Sequence, residues 1–220
     1  MQRMEIPLFP LRTVLFPGMP LPLRIFEDRY KQMVRELLES AGSFGVLLIR
    51  QGPEVGGGAL PHTIGTLARI TECQEVEGGR FILLAKGTRR FRLIKMLHPR
   101  PYPYGEIEMI DESFERDEPR LAAAMETVRT TFPFYFRLAL SRSGQWARDM
   151  TLPTGPRELV NFISQWVQAD EAAKQRLLEV EGAADQVAHL ADMIDDLLVH
   201  TREEVSEFRR QKFHGLGAAN

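Results

Sequence analysis

At 220 residues, with 44% hydrophobic and 26% charged side chains, the chain has the proportions of a soluble globular protein with one good core or two modest ones. Those proportions exclude disorder, collagen and a coiled-coil rod. The 28 basic and 30 acidic residues nearly cancel to a formal charge of -2, so any attraction to nucleic acid or anionic lipid has to be local.

The N-terminus, Met1-Gln2-Arg3-Met4-Glu5-Ile6-Pro7, lacks the apolar run of a signal peptide and places an acid within it. Apolar stretches such as Phe44 to Ile49 and Phe81 to Ala85 fall far short of the roughly 20 residues that span a bilayer, so no membrane span and a cytoplasmic location are expected. The lone cysteine, Cys73, has no intramolecular disulfide partner.

Proline and glycine crowd the first half. Pro7, Pro10, Pro17, Pro20 and Pro22 punctuate short apolar pieces, and Gly56-Gly57-Gly58 with Pro61 marks a loop. Strands are expected at Glu5 to Phe9, Leu21 to Ile25, Phe44 to Ile49, Gly65 to Thr71, Arg80 to Lys86, Arg89 to Met96 and Gly105 to Met109. One helix interrupts them, Glu27 to Ser40, with Tyr30, Met33, Val34, Leu37 and Leu38 at helical spacing and Gly42 as its stop. Gly78-Gly79 supplies a hairpin turn. In Arg89 to Met96, Phe91 and Leu93 are expected on a buried face, Arg90 and Arg92 on a wet one. Hairpin-joined strands of this kind predict a small, partly closed β-barrel over residues 1–112, and no βαβ rhythm appears.

An acidic connector, 113–119 in the chain, separates this half from a helical one expected over 120–214. Leu121, Met125, Val128 and Phe132 begin a helix that Pro133 kinks or restarts before Phe136 and Leu140. A second helix opens at Pro156 and carries Leu159, Phe162, Ile163, Trp166 and Val167. Asp170 caps a third, with Leu177, Leu178 and Val180, which Gly182 closes. The last runs from Ala183 to about Lys212, and 215–220 is expected to be a disordered tail.

The search for chemistry is mostly negative. A phosphate loop needs glycines followed by lysine and a hydroxyl residue, and no Gly-Lys pair occurs. Cys73 has no zinc-ligand partner at short spacing. Asp185, His189 and Asp192 share a face of the last helix; a metal or acid–base cluster is the sharp reading, and a solvated helix face is preferred. Ser141 and Ser143 sit in no nucleophile elbow. No cofactor and no metal are expected. From Gly79 to Arg100 the chain is basic, with Lys86, Arg89, Arg90, Arg92 and Lys95 as candidate anion- or RNA-binding residues, although flanking acids favour an ordinary charged surface. The run Phe132-Pro133-Phe134-Tyr135-Phe136 holds too many rings for one buried helix face.

The opening from Ile6-Pro7-Leu8-Phe9-Pro10-Leu11 through Val14-Leu15-Phe16-Pro17-Gly18 to Leu23 resembles the start of the N-terminal domain of Lon proteases. Phe26-Glu27-Asp28-Arg29-Tyr30, Ile64 to Ile70 and Lys86-Gly87-Thr88-Arg89-Arg90-Phe91 continue the resemblance, which extends to about His200. It implies an α+β chain: a PUA-like barrel of six to seven mostly antiparallel strands with one helix, then a four-helix C-terminal bundle, acting in substrate recognition. Full-length Lon continues into ATPase and Ser-Lys peptidase domains, of which this sequence carries no motif, so a stand-alone, non-enzymatic polypeptide binder is expected. Its candidate contacts are Phe134, Tyr135, Phe136, Tyr102 and Tyr104; RNA is the alternative partner, and monomer and dimer are both open.

Overall fold

A computed structural model describes residues 3–97, 100–110, 118–141 and 150–217. It divides into two units: residues 1–113 with 170–179, and residues 114–169 with 180–220.

In the first unit, β1 (Arg3–Leu11) is buried on both faces. Ile6 and Leu8 join one apolar cluster with Leu47, Phe91 and Ile107, while Phe9 and Leu11 join another with Tyr30, Met33, Phe44 and Phe81. Period-two alternation therefore feeds two cores. The remaining strands are β2 (Pro20–Ile25), β3 (Ser43–Gln51), β4 (Leu60–Pro61), β5 (Ile64–Val76), β6 (Arg80–Leu97) and β7 (Tyr104–Met109). All pair antiparallel except β1 with β3, which is parallel. The ladders run β1-β7-β6-β5-β3 and return to β1; β2 adds to β6 and β4 to β3.

Between β2 and β3 lies α1 (Asp28–Ser40), which buries Tyr30, Met33, Val34 and Leu37 against the second cluster. Its left-handed terminal position is Ala41, at φ 50°, one residue before the expected glycine stop. Both Gly78 and Gly79 take positive φ in the β5–β6 turn, as the hairpin reading requires.

The two strands expected at 80–86 and 89–96 are one, β6. Gly87 does not turn the chain. It admits a crossing segment: the Gly18 N–H donates to the Gly87 carbonyl at 2.8 Å and the Gly87 N–H to the Met19 carbonyl at 3.0 Å. A Cβ on Gly87 would stand 2.3 Å from the Phe16 carbonyl oxygen, so only glycine fits. The irregularity is absorbed as a register shift against β5 between Thr66 and Ala68.

Among the helices, α2 (Glu118–Ser141) continues through Pro133, α3 is Pro156–Ile163, α4 is Glu171–Glu179 and α5 is Ala183–Gly217. The second unit is built from α2, α3 and α5. Val128, Phe132 and Tyr135 of α2, Leu159, Val160 and Ile163 of α3, and Val187, Leu190, Ile194 and Leu198 of α5 are buried at helical spacing. Trp166 lies in the turn after α3, outside the helix it was expected to extend.

The fourth helix of the expected bundle belongs elsewhere. Asp170 caps α4 as expected, its carboxylate accepting the Ala173 N–H at 2.6 Å. The helix then packs with the strands. Glu171 accepts the Val14 N–H at 2.6 Å, buried Gln175 donates to the Ile64 carbonyl at 3.0 Å, and Arg90 donates to the Leu178 carbonyl at 2.7 Å. These polar anchors, with Leu177 and Leu178 buried, hold α4 to β5 and β6. At the C-terminus α5 reaches Gly217, three residues into the expected tail. Most of the acidic connector, Ser143 and 218–220 lie outside the described residues. Among the described residues no helix is long and apolar enough to cross a membrane.

Candidate functional site

The strand unit has a cleft of about 410 Å³ where the connection from β6 to β7 meets the glycine loop before β4 and the start of α1. Its apolar lining includes Pro10, Leu60, Pro61, Met96, Leu97 and Pro103. Leu60 is 52% exposed and Met96 38%. Gly56, Gly57 and Gly58 all take positive φ, which brings that loop down beside Arg29, and the Gly56 N–H donates to Glu27 at 3.1 Å. What reads in the sequence as a plain flexible loop is thus one wall of the cleft.

At the cleft's polar end, Tyr102 and Arg100 form a cluster with Glu36 of α1. The Tyr102 hydroxyl donates to the Glu36 carboxylate, while Arg100 reaches Glu36 at 3.2 Å and the Tyr102 oxygen at 3.0 Å. The Arg100 guanidinium lies 4.4 Å over the Tyr104 ring, and the two tyrosine rings meet edge to face at 6.5 Å. The Tyr102 hydroxyl and then Gln32 hold Glu36 below the usual carboxylate range. Burial, then the Glu36 carboxylate, pushes Tyr102 up, and burial pushes Tyr30 to about 12. Because Glu36 is stabilised as the anion in the fold, its contribution is present at neutral pH and lost as pH falls below the ordinary carboxylate range. Denaturation midpoints of the native protein should therefore drop more steeply than those of Glu36→Gln between about pH 5 and pH 3. The difference is small, because Glu36 is partly solvated.

The expected polypeptide contacts are divided by burial. Tyr102 is 3% exposed and serves the cleft as a fixed wall, with Tyr104 half-buried beside it. In the helical unit Tyr135 is fully buried, its oxygen accepting the Gln168 N–H at 2.8 Å, so it is removed as a surface contact. Phe134 is 64% exposed, on the opposite face of α2 from Phe136. Phe136 stacks on Phe132 at 5.7 Å and meets Trp166 edge-on at 5.5 Å, with Phe162 at 6.5 Å from Trp166. Trp166, which the sequence placed in a helix stripe, is 46% exposed and forms the outer edge of this aromatic group.

The basic segment does not form one face. Arg90, expected on the wet side, is 2% exposed and bound to the Leu178 carbonyl beneath α4, and Arg92 is half-buried. Lys95 pairs with Glu106 at 3.1 Å, whereas Lys86 and Arg89 are exposed. Burial of Arg90 follows from α4, which covers the side of β6 opposite Phe91.

Asp185 pairs with Arg120 at 2.9 Å, and the Ser141 hydroxyl donates to the Leu138 carbonyl. Cys73 is exposed, and partial burial and then Glu75 push its thiol up, away from the thiolate. Among the described residues no group of three His, Cys, Asp or Glu could hold a metal ion.

A seven-stranded, mainly antiparallel sheet together with helices defines an α+β fold, and its strand unit carries an open, mainly apolar cleft. The family of the ATP-dependent protease La (LON) substrate-binding domain matches residues 5–196, and the chain belongs to that family. It is 27% identical to a Lon protease of Syntrophus aciditrophicus over 179 residues, covering 79% of this chain and 23% of that one. It is 23% identical to a Lon protease of Xanthomonas oryzae over 195 residues, 87% of this chain and 23% of that one. The chain thus spans about a quarter of the length of these relatives. In structure it is similar to a Lon N-terminal domain protein from Xanthomonas campestris, at TM-score 0.61 and 24% identity, covering 85% of this chain and 96% of that one. The N-terminal domain of Mycobacterium avium complex Lon protease gives a TM-score of 0.65 at 17% identity, covering 88% and 99%.

Proposed function

We propose that the protein is a non-catalytic recognition module that binds exposed apolar segments of polypeptides, the cleft beside Leu60 and Met96 receiving an apolar side chain. The observation that carries this reading is membership of a substrate-binding domain family over residues 5–196. The cleft supports it physically: a concave, mainly apolar surface with a few oriented polar groups is what side-chain capture requires. Binding there is burial without chemistry, so the gain scales with the apolar area removed from water. A reduced, carboxymethylated unfolded protein carrying a fluorophore is the probe. It is expected to bind the native chain, and Leu60→Asp, which places a charge at the exposed rim of the cleft, should weaken binding about tenfold. Anisotropy titrations measure both. Unchanged affinity in Leu60→Asp would remove the cleft from the proposal.

A further inference from the structure

The strand unit carries a second surface, distinct from the cleft, on the three-stranded part where β2, the first half of β6 and the second half of β5 pair. One side of this ribbon, with Leu21, Ile25, Phe81, Leu83 and Ala85, packs into the cluster beneath α1. On the outward side the register sets three rows: Pro20, Lys86 and Arg69; Pro22, Leu84 and Glu72; Arg24, Ile82 and Gln74. All of these side chains are exposed except half-buried Leu84, and Ile82 is 48% exposed. An apolar centre of Pro22, Leu84 and Ile82 is therefore open to solvent.

The charges around it are unbalanced. Arg24, Arg69 and Lys86 stand against a single carboxylate, Glu72, and none of the three cations makes an ion pair or side-chain hydrogen bond among the described residues. Arg69 and Lys86 face one another directly across the β5–β6 ladder, an arrangement of like charges that destabilises a sheet. An anionic partner laid across the rows would relieve that repulsion while covering the apolar centre.

We infer that this outward face of β2, β6 and β5 binds an acidic segment of polypeptide with interspersed aliphatic side chains. The inference takes from the proposed function only that the ligand is a polypeptide. Size selects a peptide over a folded protein. From Arg80 to Lys86 the face is roughly 20 Å long, and two ladder spacings make it about 10 Å wide. That is well below the roughly 800 Å² each partner contributes to a standard protein interface. Composition selects peptide over single-stranded nucleic acid, since no aromatic ring stands in the three rows and base stacking requires several.

The probe is a capped, labelled peptide of about eight residues in which three glutamates at each end flank a central valine–isoleucine pair, so that either side of the extended peptide presents carboxylates and an aliphatic side chain together, with lysine replacing glutamate in the control and an oligothymidylate as competitor. The glutamate peptide is expected to bind the full chain and to weaken as salt rises, with no binding of the lysine peptide. The pair Arg24→Glu with Lys86→Glu should loosen it on the order of tenfold, and the milder pair Arg24→Gln with Lys86→Gln should fall between, with unchanged circular dichroism certifying the fold. Ile82→Ser should weaken binding at constant salt dependence. Equal affinity for the two peptides, no response to the charge changes in folded protein, or displacement of the peptide by the oligothymidylate at lower concentration would overturn the inference. Unfolded protein that responds to Leu60→Asp while the glutamate peptide fails to bind overturns this surface and leaves the cleft standing. The reverse outcome does the opposite.

Discussion

Arg90→Ala is expected to lower stability by about 3 kcal/mol, read as a fall in the denaturant midpoint. Arg90 is among the largest fully buried side chains, and its guanidinium donates to the Leu178 carbonyl at 2.7 Å. Truncation empties the space the side chain fills and leaves a buried carbonyl without that donor, and both penalties act in the same direction. Because Leu178 is in α4, hydrogen exchange should accelerate in residues 171–179 before it does in β1 or β7. Arg90→Met restores much of the volume without the hydrogen bond and should recover about half the loss. A variant within about 0.5 kcal/mol of the native chain would show that this arginine does not anchor the helix.

Gly87→Ala is expected to cost about 3 kcal/mol or to prevent folding of the strand unit. The added Cβ would lie 2.3 Å from the Phe16 carbonyl oxygen, a backbone atom with no side-chain freedom to withdraw. Separation would also stretch the two backbone hydrogen bonds that tie Gly18 and Met19 to β6. Gly18→Ala is the control: its φ of +82° strains an alanine, yet nothing lies within 4 Å, so a loss of only about 1 kcal/mol is expected. Thermal melts of the two variants side by side separate crowding from backbone strain. Equal losses would contradict the close approach at Gly87.

These residues also show where local pattern is insufficient. The spacing Lys86-Gly87-Thr88 reads as a break between strands because a glycine inside a strand weakens it. Its other use, admitting a second backbone, depends on Phe16, some seventy residues earlier in the chain. Alternation from Arg89 onward correctly puts Phe91 in a core, since a sheet has two faces, but it cannot say that the opposite face at Arg90 is covered as well. The rings of Phe134, Tyr135 and Phe136 announce excess apolar surface, and helical geometry sends them in three directions: outward, fully inward, and against Trp166. The cleft is visible in the sequence only as isolated hints, a glycine triplet and a tyrosine pair, because its walls come from separate segments spread between Pro10 and Pro103.

Periodicity and chain punctuation suffice for most strands of the strand unit, for α1 and for most helix limits, because turns, caps and amphipathic faces depend on residues within a few positions of one another; they miss β4 and the continuity of β6 through Gly87. The motifs from Ile6 to Phe91 likewise point to the substrate-binding domain family, which matches residues 5–196. Tertiary structure alone assigns α4 to the strands, since a nine-residue amphipathic helix with Leu177 and Leu178 carries the same local pattern on either unit. Its place is decided by hydrogen bonds to Val14, Ile64 and Arg90, between 88 and 157 residues distant in sequence. It also decides the charges: a basic segment of near-uniform sign is divided into a buried anchor at Arg90, an ion pair at Lys95 and, at Lys86, an exposed cation with no ion pair among the described residues, because strand register sends neighbouring residues to different neighbours.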